Sequence, residues 1–145
     1  MIRSIVAILT GIIALTTVSF GIEAVVNPLL LRGFPEALPS RAAISHNLAA
    51  SLFTFAYGTL SVVVGGYVTA WIARSAPIRH SVIMGILQIA LTILAMTAMW
   101  DQAPTWIWVS SIAMSLPAAA LGGWWYAKRS RRTPAGSQLK HNSTR

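Results

Sequence analysis

Between residues 5 and 26 the chain carries a single charged side chain, Glu23. As a helix rising 1.5 Å per residue, that run spans about 33 Å, which is enough to cross the hydrocarbon core of a bilayer. Three further apolar runs follow, at about residues 46–72, 81–100 and 105–127. Inside hydrocarbon every backbone N–H and C=O must be satisfied within the segment itself, which leaves the helix as the solution for single runs of this length. The expected fold is therefore an all-α membrane protein with four transmembrane helices. The composition agrees: 10% of residues are charged and 55% hydrophobic, whereas a soluble domain carries about 25% charged residues. The first run is longer than the roughly 7–15-residue apolar region of a cleaved signal peptide and is expected to stay as a helix.

The breaks between runs are short and distinct. Residues 27–45 contain Pro28, Gly33, Pro35 and Pro39, which predict a long first loop. The stretch from Gly65-Gly66 through Trp71, Arg74, Pro77, Arg79 and His80 reads as the end of one helix, a tight turn and the start of the next. Pro104 suits a first helical position. Pro117 falls inside the fourth helix, where it frees the carbonyl four residues earlier and favours a kink. The polar tail, 128–145, has the composition of a disordered segment with some attraction to anionic lipid headgroups.

Charge placement sets an expected orientation. Nine of the eleven lysines and arginines lie at the N-terminus, in the middle turn or in the tail, and the two others, Arg32 and Arg41, lie in the first loop. All three acids, Glu23, Glu36 and Asp101, fall on the sparse side. The positive-inside rule then places both termini in the cytoplasm. Trp71, Trp124 and Trp125 mark inner ends and Trp100, Trp106 and Trp108 outer ends, as aromatic belts do. Because topology accounts for the net charge of +8, no nucleic-acid partner is expected. The chain has no cysteine, which excludes disulfides, thiolate metal sites and cysteine nucleophiles.

Two internal correspondences suggest a duplicated helical hairpin. Arg3, Val6 and Ile13-Ala14-Leu15-Thr16 match Arg79, Val82 and Ile89-Ala90-Leu91-Thr92 at one offset. Gly65-Gly66 and Gly122-Gly123 each precede a basic stretch. Gly65-Gly66-Tyr67-Val68-Thr69-Ala70, then Ala73-Arg74 and Pro77-Ile78-Arg79-His80, together with Leu116-Pro117-Ala118-Ala119-Ala120-Leu121-Gly122-Gly123, resemble motifs of a family of small four-helix bacterial membrane proteins. The resemblance covers roughly residues 47–123. It implies the architecture and a bacterial inner membrane, and carries no activity with it. The sequence departs from the pattern at Ser81, where alanine is the rule, and at Trp124-Trp125.

No catalytic motif is present, so a non-enzymatic protein without cofactors is expected. His46, His80 and His141 fall in three separate places and do not suggest a metal site. Three polar groups share the outer rim: Glu23, His46 and Asp101. They are candidates for a hydrated cap tying three helix ends, with Glu23 paired to Arg41 or His46 or simply hydrated. A transporter carboxylate would be expected nearer the midplane. Gln88, Tyr57 and Ser61 are the candidate midplane polar residues, suited to inter-helix hydrogen bonds or to a solute path. Small residues recur in stripes that permit close helix packing: Gly58, Gly65 and Gly66 in the second helix, and Ser115, Ala119, Gly122 and Gly123 in the fourth. The partner helix for these stripes could belong to the same chain, to a second copy or to another membrane protein. Apart from the lipid bilayer, a packing or interaction module is the first functional reading, and a small transporter or channel subunit the alternative. Polar groups converging on one cavity would favour transport, and a dry small-residue interface would favour the module.

Overall fold

The computed structural model describes residues 2–34, 36–74 and 76–131. Helix α1 spans Ile2–Gly33, α2 Arg41–His46, α3 Leu48–Ala73, α4 Pro77–Ala98 and α5 Thr105–Ser130, with a 3-10 turn at Trp100–Gln102 before α5. Four of these helices, all but α2, are long and apolar enough to cross a membrane. Since short connections reverse the chain each time, α1 and α4 run one way and α3 and α5 the other. The bundle thus has a terminal end, which holds the start of α1, the α3–α4 turn and the end of α5, and an opposite, loop end.

Solvation of the surface follows from the same pattern. Large apolar side chains lie exposed on all four long helices, including Ile13, Phe20, Leu60, Ile86, Leu94, Val109 and Leu121. The buried positions are held mainly by Ala, Ser, Thr and Gly, and the largest fully buried side chain is Met84. Water does not solvate such an exterior well over so large an area, whereas lipid does.

Several expected boundaries are corrected. The first loop does not begin at Asn27, because α1 continues through Pro28 to Gly33. The proline removes one backbone donor, a loss membrane helices tolerate. The extension is held by packing: Leu30 and Leu31, expected in the first loop, lie against Leu38, Ile44 and Ala50 and cover a small second core. At 32 residues α1 is about 48 Å long, well beyond a bilayer core. Helix α3 starts at Leu48 rather than at residue 46: His46 ends α2, and Asn47 is the cap of α3, its Oδ1 accepting from Ala50 N at 3.1 Å. Helix α4 starts at Pro77 rather than Ser81, with the proline in the first turn, where its missing N–H costs nothing. Helix α5 runs through Pro117 and on to Ser130, three residues into the expected tail. The tail from residue 132 lies outside the described residues.

The α3–α4 turn is tight enough to force Arg74 (φ 56°) and Ala76 (φ 45°) into the left-handed region, which costs residues with a Cβ. Arg3 secures the same end by donating from Nε to Ile72 O at 3.0 Å. His80 Nε2 meets Ser4 Oγ at 3.0 Å.

Candidate functional site

The two halves of the bundle differ in packing, and the difference places the site. Toward the terminal end the helices meet backbone to backbone. A Cβ built on Gly65 would lie 2.8 Å from Gly11 O and 3.2 Å from Met84 Cε. One on Gly66 would strike Ala119 O, and one on Gly122 would strike Val63 O and lie 2.7 Å from Tyr67 N. A Cβ built on Gly123 would lie 2.6 Å from Ser81 Oγ. Leu15, Val62, Met84, Ala118 and Ala119 fill what remains. Ser81 donates to Gly66 O at 2.7 Å and so ties α4 to α3.

Toward the loop end the helices part around two neighbouring cavities. The inner one, about 350 Å³, reaches from Leu15 and Ser115 past Gln88 and Trp108 up to Glu23 and Tyr57. The outer one, about 580 Å³, continues from Glu23, Thr54 and Tyr57 to Asn27, Ser45 and Asp101. Glu23, Thr54 and Tyr57 line both and form the neck between them. Across that neck Tyr57 Oη donates to Glu23 Oε1 at 3.3 Å, joining α3 to α1. At 1.5 Å per residue the eight-residue separation of Leu15 and Glu23 makes the inner cavity about 12 Å deep.

The residues singled out from sequence distribute unevenly over this geometry. Gln88 lies at the middle of α4, lines the inner cavity and donates from Nε2 to Thr92 Oγ1 at 3.4 Å. Tyr57 sits at the neck, lining both cavities. Ser61 lines neither of these cavities; its hydroxyl donates back to Tyr57 O at 2.8 Å. Thr59, Thr69, Thr92 and Ser115 do the same to the carbonyl four residues earlier, the local bond that Ser and Thr readily make in helices. The outer rim brings Glu23 and Asp101 to one cavity, but His46 is exposed and lines neither. Its own short helix turns Ile44 and Ser45 inward instead. Gly58 is no packing residue: a Cβ there meets nothing within 4 Å, and the position lines the inner cavity. Gly65, Gly66, Ser115, Ala119, Gly122 and Gly123 are all buried between helices of this chain.

Two features escaped the sequence reading. Gly11 and Gly85 belong to the seam; the spacings Ala7-x-x-x-Gly11 and Ser81-x-x-x-Gly85 carry the small-residue signal that marks them. Trp108, read as an outer-belt residue, instead points at the inner cavity, and its Nε1 is buried with no protein acceptor. An indole N–H in such a position is normally bonded, to protein or to water. Chemically the site combines this donor, a glutamine amide, hydroxyls and a carboxylate within an apolar shell. That composition suits hydrogen bonding to a small polar species.

Comparison of the chain with protein-family models, with curated proteins and with solved structures gives no match.

Proposed function

We propose that this is a non-enzymatic, multi-pass protein of a bacterial inner membrane, with both termini cytoplasmic, that takes a small polar solute into the cavity between its helices from the outer side. In this reading it is the binding subunit of a small transport or channel system. The observation that carries it is the pair of cavities meeting at Glu23, Thr54 and Tyr57, with the acceptor-less Trp108 Nε1 at their inner wall. A roomy site with several polar groups holds water or a polar solute, while a purely apolar one stays dry. The rival reading as a packing module drew on the small-residue stripes. Gly11, Gly65, Gly66, Gly122 and Gly123 all meet neighbours in the same chain, so those stripes serve the internal seam and offer little to a partner.

The chain has no cysteine, so single introduced thiols report cleanly on access. Thr54→Cys, Gly58→Cys and Ser111→Cys should react with a charged, membrane-impermeant thiosulfonate added to the outer side of intact cells, and Ala119→Cys in the seam should not. Protection of the three cavity thiols to the level of Ala119→Cys would sink the reading.

A further inference from the structure

We infer that the end of α5 carries a binding site for the phosphate-bearing headgroup of an anionic phospholipid in the surrounding leaflet. Trp124 and Lys128 are four residues apart on α5, as are Trp125 and Arg129, so two aromatic–basic pairs lie side by side on adjoining faces of one helical turn. The four side chains line a concavity of about 350 Å³ at the terminal end. Lys128 Nζ stands 4.7 Å from the centroid of the Trp124 ring. That cation–π contact restrains an otherwise mobile ammonium on the wall of the concavity. Trp124 and Trp125 are 50% and 59% exposed, and indoles in this position sit at headgroup level with their apolar edges toward the acyl chains.

Charge completes the case. Among the described residues Arg3, Arg74, Arg79, Lys128, Arg129 and Arg131 lie at the terminal end, and Glu23, Glu36 and Asp101 all lie in the other half. No acid there competes for the two basic groups. A guanidinium and an ammonium converging beside two indoles fit a phosphodiester that is anchored by its own lipid, and the attraction to an anionic leaflet adds to the affinity. This site is separate from the cavity at the loop end, and its occupancy does not depend on the solute reading.

The test uses the full chain in a neutral detergent, with melting followed as short-chain phosphatidylglycerol, short-chain phosphatidylcholine or inorganic phosphate is added. Phosphatidylglycerol should raise the melting temperature saturably, and the other two should not. Lys128→Gln with Arg129→Gln should raise the half-saturating concentration about tenfold or more. Trp124→Leu, which removes the ring that restrains the ammonium, should raise it about threefold. Arg74→Gln with Arg79→Gln, equal in charge and at the same end, should leave it within about twofold. All these side chains except that of Arg74's backbone-strained position lie on the exposed surface of a helix, and unaltered circular dichroism of each variant keeps the comparison valid. Equal losses in the two double variants would mean a diffuse field and would overturn the site. A response to inorganic phosphate matching that to phosphatidylglycerol would overturn the lipid as its occupant.

Discussion

Glycines in this chain do two opposite things, and single substitutions separate them. Gly58 borders open space, so Gly58→Ala gains helix propensity without a clash and should stabilise the protein by up to about 1 kcal/mol. Gly66 faces the backbone of Ala119 and Gly122 that of Val63. Gly66→Leu or Gly122→Ala should therefore destabilise by about 1–3 kcal/mol, because helix backbones must separate. Reversible unfolding of the three variants in mixed micelles checks both signs, and equal effects at Gly58 and Gly66 would contradict the division of the bundle. The sequence could not make this distinction. Gly58 shares a helical stripe with Gly66, and the stripe fixes a face but not the height at which a neighbouring helix draws away. Trp108 is a similar case: its type and position suit an interfacial belt, and only the fold shows that its N–H is enclosed beside the inner cavity.

Among the elements, the α3–α4 turn makes the sharpest prediction. Ala76 is held at φ 45° and followed by a proline at the start of α4. Ala76→Gly removes the left-handed penalty and should leave stability unchanged or raise it by up to about 1 kcal/mol. Ala76→Val places a β-branched side chain there and should lower it by about 1–3 kcal/mol. Thermal melts of the two variants check the opposite signs. The turn itself was legible, since Pro77 and the flanking basic residues announce it. The four long helices were legible for the same reason: apolar runs of bilayer length have few alternatives. The extension of α1 was not. Pro28 reads as a breaker in isolation, and the contacts that keep the helix going, from Leu30 and Leu31 to Leu38 and Ile44, join segments whose pairing no local pattern reveals. Serine and threonine hydroxyls suggested inter-helix bonds, yet most close onto their own helix, because the carbonyl one turn back is always within reach. The rim was half legible: Glu23 and Asp101 share a cavity, while the intervening helix α2 turns His46 away.

For the molecule as a whole, the proposed orientation rests on the distribution of basic residues. A cytoplasm-dependent reporter fused after Arg79 or after Arg132 should be active, and one inserted within residues 38–41 should work only if it requires the outer side. An outward C-terminus would reverse the side from which the cavity is reached. The division of packing along the bundle also has a mechanical consequence. Welded backbones at one end and parted helices at the other make the seam a fulcrum, so the compliant motion is a splaying of the loop ends, like the jaws of a clothes-peg around its spring. Widening the mouth then strains the Tyr57–Glu23 bridge and side-chain contacts rather than backbone packing. Opening the terminal end would require Gly66 to leave Ala119 and Gly122 to leave Val63 at once. On the proposed function, a solute would enter and leave by the loop end, the softer of the two, while the terminal end stays closed around its seam.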